Sequence, residues 1–120
     1  MEPTILGKKG ETWACEYLQK AKYKIREVNY RAGRNEIDII ASQGRYIIFV
    51  EVKTRTYNTI CDPEQAVNWK KQQAIIKTAH AYILKHQLSQ MEARFDIIGI
   101  RYKNDKNMHI LHIPNAYYPM

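Results

Sequence analysis

The chain has 120 residues, a formal net charge of +7 and a hydrophobic content of 45%. That size predicts a single domain over residues 1–120 with one core. Cys15 and Cys61 are too few for a disulfide framework, and no apolar run approaches the ~18 residues of a membrane span. The Met-Glu-Pro-Thr opening does not resemble a secretory signal. We therefore expect a cytoplasmic protein with free thiols and no membrane contact.

The excess of lysine and arginine favours an anionic partner, and nucleic acid is the commonest one. A merely basic, soluble surface would give the same charge count. Net charge alone leaves both interpretations open.

The first element predicted along the chain is a helix over residues 6–21. Its apolar residues recur at helical spacing: Leu6, Trp13, Ala14, Tyr17, Leu18 and Ala21. Residues 23–30 predict a first strand, and residues 31–35 predict a basic turn. Residues 36–41 and 45–53 are rich in β-branched and aromatic residues, which predicts two further strands. Gln43-Gly44 between them predicts a tight hairpin turn.

A second helix is predicted to begin at Asp62 and to run to about His86. Asp62 can cap it, Pro63 suits its first position, and Gln65 can close a capping box. The side chains expected on or near its buried side are Ala66, Trp69, Gln73, Ile76, Ala79, Ala81, Ile83 and Leu84. Residues 94–102 and 108–113 predict two final strands, so the order is αβββαββ in a mixed α/β domain.

Charged residues interrupt the two apolar strands of the predicted hairpin. Side chains alternate along a strand, so Glu36 and Asp38 share one face, as do Glu51 and Lys53. A Gln43-Gly44 turn would place Glu36 opposite Glu51 and Asp38 opposite Phe49, making Asp38 and Glu51 diagonal neighbours. An odd loop length would send the two acids to opposite faces.

Carboxylates this close repel one another, and a divalent cation would relieve the repulsion. Hard oxygen ligands suit Mg²⁺ or Mn²⁺, so Asp38 and Glu51 are candidate metal ligands. Lys53 could supply a second cation beside a scissile phosphate, which phosphodiester hydrolysis requires. The alternative is a solvated Glu51–Lys53 ion pair, with Glu36 and Asp38 merely opening a strand.

The spacing of Asp38 and Glu51-Val52-Lys53 resembles the PD-(D/E)xK signature of restriction-endonuclease-like nucleases, although Ile37 stands where a literal signature has proline. Further segments resemble the YraN family of bacterial proteins, over nearly the whole chain. They are Gly7-Lys8-Lys9-Gly10-Glu11 with Ala14, Tyr17 and Leu18, then Asn29-Tyr30-Arg31, Glu36-Ile37-Asp38, Phe49 to Arg55, Ala66-Val67, Lys71-Gln72, Arg94-Phe95-Asp96 and Asn115-Ala116.

The resemblance implies a restriction-endonuclease-like fold, similar to that of archaeal-type Holliday-junction resolvases. It implies Mg²⁺- or Mn²⁺-dependent cleavage of DNA, with branched or damaged DNA as a candidate substrate, and a homodimer as in the resolvases. It also implies Asp38 and Glu51 as metal ligands, Lys53 as the catalytic lysine and Glu11 as an accessory carboxylate. In our hypothesis Glu36 tunes the site with Glu11, although Glu11 could instead simply favour a helix N-terminus through the helix dipole.

Further residues are candidates for contacts with nucleic acid, although each is individually also consistent with an ordinary surface residue. Tyr57 could stack on a splayed base, and Lys71 or Gln72 could contact phosphate or support Lys53. The candidate phosphate contacts in loops and at helix ends are Lys8, Lys9, Arg31, Arg34 and Arg55. Two other functions stay open: a nucleic-acid-binding module without efficient cleavage, and a structural adaptor with a vestigial site.

Overall fold

The computed structural model describes residues 2–57 and 67–117. Seven elements follow in the predicted order αβββαββ. They are α1 (Pro3–Lys20), β1 (Lys24–Ala32), β2 (Asn35–Gln43), β3 (Tyr46–Thr56), α2 (Trp69–Lys85), β4 (Glu92–Asn104) and β5 (Asn107–Ile113). No helix among these residues is long and apolar enough to cross a membrane.

The five strands form one mixed sheet in the order β1-β2-β3-β4-β5. Neighbouring strands are antiparallel except β3 and β4, which are parallel. Parallel neighbours need a crossover, and α2 lies between β3 and β4 in the chain. One apolar cluster joins α2 to the sheet and a second joins α1 to it. This α/β arrangement is consistent with the restriction-endonuclease-like fold that the sequence predicted.

The apolar stripe of α1 follows the predicted helical spacing. Leu6, Gly10, Ala14 and Leu18 are all buried, one turn apart from each other. The helix begins at residue 3, earlier than the prediction. Its regular stripe explains why periodicity alone could find this helix.

The predicted face of α2 is only partly right. Ile76 and Ala79 are buried, but Trp69 is 67% exposed and Leu84 is 73% exposed. The buried stripe is centred instead on Ile75, Ala79 and Tyr82. Trp69 lies to one side of that stripe, and Leu84 lies on the opposite side of the helix from Ile75, so their apolar character misled the prediction of the buried face.

The start of α2 also differs from the prediction. The predicted cap at Asp62 lies outside the described residues, but residues 67–68 are not helical and Asn68 caps the helix. The Asn68 side chain accepts a hydrogen bond from the Lys71 backbone N–H at 2.9 Å. This satisfies one of the free donors of the first turn.

The β2–β3 hairpin has a different register from the one predicted. Gln43 pairs with Tyr46 and Ile40 pairs with Phe49, so the turn is Gly44-Arg45 and not Gln43-Gly44. Gly44 has a φ of 58°, a conformation that glycine adopts without steric cost. The turn moves by one residue while its length stays at two, so the paired residues 39–43 and 46–50 keep their predicted faces.

Candidate metal and nucleic-acid site

An irregularity in β2 brings Asp38 to the backbone of β3. Ile37 and Ile40 lie in the cluster under α2, whereas Ile39 lies in the cluster under α1. Residues three apart in a regular strand face opposite sides, so the alternation breaks near Asp38. The ladder to β3 ends at the pair Ile39–Val50. Beyond it, Asp38 Oδ2 accepts a hydrogen bond from the Val52 N–H at 2.8 Å.

Glu51 lies beside this carboxylate and is only 3% exposed. Two ammonium groups from different elements reach its Oε1 atom. Lys53 Nζ, from β3 itself, is 3.5 Å away. Lys71 Nζ, from the first turns of α2, forms an ion pair with the same oxygen. The site therefore combines the buried carboxylate of Glu51 and the half-buried carboxylate of Asp38 with two lysines.

These side chains line a cavity of about 440 Å³ between the two helices and the end of β3. Asp38, Glu51 and Lys71 also line a second cavity of about 230 Å³. Glu36 and Arg34 lie in the wall of this second cavity. Asp38 and Glu51 thus line both cavities, whereas Lys53 lines only the larger one and Glu36 only the smaller one.

The N-terminal half of α1 contributes a third carboxylate to the larger cavity, that of Glu11. The preceding residue, Gly10, packs so closely on β3 that a Cβ there would overlap the Thr54 Oγ1 atom. Asn29 hydrogen-bonds to Glu11 from the neighbouring β1. Its φ of 54° is a left-handed conformation that asparagine tolerates better than most residues.

Electrostatics make this an unfavourable place for uncompensated negative charge. Burial and the charge of Glu51 raise the pKa of Asp38 to about 7, against the opposing hydrogen bond from Val52. Burial raises the pKa of Glu11, and Glu36 and Glu51 add to the effect while Asn29 opposes it. A cation placed between the carboxylates would reverse these shifts.

The lysines respond differently to the same surroundings. Burial and the contact with Lys71 lower the pKa of Lys53 despite the attraction of Glu51. Burial acts on Lys71 in the same direction, but its contacts with Glu51 and Lys53 outweigh burial and raise its pKa. Lys71 is therefore the main partner of the buried Glu51 charge.

The donor set fits a hard divalent cation with an incomplete protein shell. Among residues 2–57 and 67–117, no group of three or more His, Cys, Asp or Glu side chains stands ready to hold an ion. Asp38 and Glu51 would supply two carboxylates. Mg²⁺ commonly takes one or two carboxylates and completes its shell with water and substrate phosphate.

The structure divides the predicted nucleic-acid contacts into two groups. Arg55 and Lys71 line the larger cavity, and Arg34 and Lys71 line the smaller one. Lys8 borders an adjoining pocket that contains Glu11 and Asn29. These positions place positive charge around the two carboxylates.

The other predicted contacts lie further out or have local partners. Lys9 Nζ pairs with Asp105 at 3.2 Å, and Arg31 pairs with Glu36 at 3.6 Å. The Gln72 side chain donates to the Val67 carbonyl at 3.1 Å. Tyr57 is 47% exposed just after β3.

Sequence reasoning missed the contacts that position the site. The contact of Gly10 with Thr54 and the left-handed Asn29 depend on tertiary approach, and their only sequence signal is membership of short matched segments. It also missed that Lys71 binds Glu51 directly.

The comparisons with known proteins agree with this arrangement of motifs. The model of the uncharacterised protein family UPF0102 matches residues 10–100. The chain belongs to the UPF0102 family. It is 45% identical to a UPF0102 protein of Geobacter metallireducens over 93% of this chain and 91% of the relative. It is 42% identical to one from Persephonella marina, over 94% and 93% respectively. The family descriptions state no activity, so function must be argued from the site.

Proposed function

We propose that this UPF0102 protein is a Mg²⁺- or Mn²⁺-dependent endodeoxyribonuclease of the cytoplasm that hydrolyses phosphodiester bonds in branched or damaged DNA. One observation carries the proposal. Asp38 and Glu51 meet inside a cavity beside Lys53, and the pKa of Asp38 is raised to about 7. Such a strongly perturbed group in a cleft is typical of functional sites.

Each side chain has a distinct task in this proposal. Asp38 and Glu51 would hold the cation, which when bound supplies a Lewis acid that activates water and neutralises phosphate charge. Lys53 would place its ammonium against the phosphate oxygens as charge develops on them. Glu11, at the edge of the cavity, would orient water or accept its proton.

The charge distribution supports a nucleic-acid substrate. The chain carries 19 Lys and Arg against 12 Asp and Glu, and Arg34, Arg55 and Lys71 line the two cavities. Contacts of this kind hold the phosphate backbone and do not read bases. DNA affinity should therefore fall with salt at a log-log slope of about −0.9 per neutralised phosphate on a duplex.

The first test separates binding from cleavage with Lys53→Ala. Because the Lys53 charge is needed in the transition state, single-turnover cleavage should fall by at least about 100-fold while DNA affinity drops only modestly. Linear, nicked, flapped and four-way DNA should each be assayed with Mg²⁺ and with Mn²⁺. Lys85→Ala, which changes an exposed lysine at the far end of α2, is the matched control.

Equal cleavage by the wild type and Lys53→Ala would contradict the assignment. The ion pair between Lys71 and Glu51 favours one second candidate, a DNA-binding module in which an internal lysine replaces the cation. That candidate predicts salt-sensitive binding without cleavage of any substrate. Sedimentation of the protein with four-way DNA would test the homodimer that a two-fold symmetric substrate requires.

A further inference from the structure

The pairing of Lys71 with Glu51 suggests how the site exists without its cation. Glu51 is 3% exposed, yet its charge must be compensated. Lys53 reaches Glu51 Oε1 at 3.5 Å, and Lys71 binds the same atom more closely. The oxygen that a divalent cation would need is thus already occupied by an ammonium group.

Lys71 is well placed to give up this position. It belongs to the first turns of α2, and its side chain is 39% exposed, against 17% for Lys53. It also lies in the wall of both cavities. Its long, flexible side chain can therefore swing from Glu51 toward solvent or a phosphate without moving the helix.

We propose that Lys71 is a built-in counter-ion that competes with the divalent cation for Glu51 and is displaced when the cation binds. The inference rests on the proposed function, because it assumes that Glu51 is a cation ligand. It assigns Lys71 a positioning role: the residue compensates the Glu51 charge when no cation is bound and lowers the affinity of the site for free cations. The released ammonium then faces the cavity where the proposed substrate phosphate lies.

The test is the affinity for Mn²⁺ alone, measured by titration calorimetry on the whole protein. Lys71→Gln removes both the competitor and a nearby positive charge, so Mn²⁺ should bind about tenfold more tightly or better. Lys70→Gln is the matched control, since it makes the same charge change at an exposed neighbour on the same helix. Its affinity should change less than about threefold, because exposed charges are screened.

Thermal unfolding gives a second readout that does not depend on activity. In EDTA, Lys71→Gln should melt below the control, because Glu51 loses its closest cation. Saturating Mn²⁺ should remove most of that difference, since the ion stabilises the folded state in proportion to its affinity. Lys71→Met, which keeps the length and apolar stem of the side chain, should behave in the same way.

The outcomes distinguish this inference from the proposed function. Tighter Mn²⁺ binding by both Lys71 variants supports the competition, even if the wild type binds too weakly to measure. Unchanged or weaker binding by both variants, with a wild type that binds, overturns the role of Lys71 and leaves the cation site intact. Absence of Mn²⁺ binding in the wild type and both variants overturns both proposals.

Discussion

Two buried acidic clusters lie on opposite faces of the same sheet and differ in how their charge is satisfied. Asp96, on β4, pairs in register with Val50, the residue next to Glu51. Asp96 is fully buried and Glu51 nearly so. One cluster, the Asp96 cluster, contains Asp96, Arg94 and His112, and the other, the Asp38 cluster, contains Asp38 and Glu51. Although the clusters lie on neighbouring strands, the pKa of Asp96 is lowered whereas that of Asp38 is raised.

The Asp96 cluster has a donor for each carboxylate oxygen. Arg94 forms two hydrogen bonds with it, at 2.8 and 2.9 Å, and His112 Nε2 donates at 2.7 Å. The Asn115 N–H donates at 3.1 Å, and the Tyr17 hydroxyl of α1 contacts His112. Burial alone would raise the pKa of Asp96, but the bonds from His112 and Arg94 outweigh it.

In the cluster of Asp38 and Glu51, two lysines bind Glu51, but among the described residues Asp38 has no comparable set of donors. Its carboxyl accepts one described hydrogen bond, from Val52, and faces the charge of Glu51. The Asp96 cluster therefore joins α1, β4 and β5 into a stable unit, whereas the Asp38 cluster keeps like charges together inside a cavity. The difference teaches that burial of acids is not itself a functional signal, but burial without enough donors is.

The largest effect should come from breaking the satisfied cluster. Asp96→Asn leaves the buried Arg94 without its carboxylate, so we expect a loss of about 3–5 kcal/mol in the free energy of unfolding, measured with urea. Asp105→Asn is the control, because its pair with Lys9 is exposed and solvent screens it, so the loss should be far smaller than for Asp96→Asn. Similar losses for both variants would show that the Asp96 cluster contributes no more than a surface pair.

The stability that the two clusters contribute should change with pH in opposite directions. The folded-state pKa of Asp38, about 7, lies above the usual unfolded value of about 4, so the metal-free folded state binds this proton more tightly. The contribution of Asp38 to the free energy of unfolding is complete below about pH 4 and is lost as the pH rises toward about 7. Asp96, with a lowered pKa, contributes above its unfolded value and loses that contribution as the pH falls.

Asp38→Asn should therefore stabilise the protein in EDTA at pH 8, by on the order of 1–3 kcal/mol. The amide oxygen can still accept the Val52 hydrogen bond, while the repelling charge is removed. The gain should vanish near pH 4, and the variant should lose Mn²⁺ binding. Urea unfolding from pH 4 to pH 8 measures the gain in stability. Destabilisation by Asp38→Asn at pH 8 would mean that the negative charge of Asp38 does not destabilise the folded protein.

Sequence patterns could predict much of this molecule, and the reasons they failed elsewhere are physical. The faces of the paired residues in β2 and β3 could be predicted, because a hairpin with a two-residue turn preserves the alternation even when the turn moves. Periodicity could not predict the hydrogen bond from the Val52 N–H to the Asp38 carboxylate, because this contact lies beyond the last ladder pair of the hairpin. The packing of Gly10 on Thr54 is likewise set by tertiary approach.

The smallest effect concerns α1, which joins both clusters. Its C-terminal half contacts the Asp96 cluster through Tyr17, and its N-terminal half carries Glu11 to the cavity. Gly10→Ala gains up to about 1 kcal/mol of helix propensity, but its Cβ overlaps the Thr54 Oγ1 atom. Since overpacking costs about 1–3 kcal/mol, we expect the free energy of unfolding, measured with urea, to fall by about 0–2 kcal/mol.

Gly7→Ala provides the matched control on the same helix, because a Cβ there meets no atom within 4 Å. Its free energy of unfolding should rise by up to about 1 kcal/mol, so Gly7→Ala should stabilise the protein where Gly10→Ala destabilises it.

The Gly10→Ala variant should also bind Mn²⁺ more weakly, because the displaced α1 tilts Glu11 away from the cavity. The NMR signals of the His112 ring should stay unchanged. Adding Thr54→Ala to Gly10→Ala should recover part of the lost stability and part of the lost Mn²⁺ affinity, because it removes the Oγ1 atom that the new Cβ overlaps. If Gly10→Ala instead disturbs His112, α1 moves as one rigid unit and the two clusters are mechanically coupled.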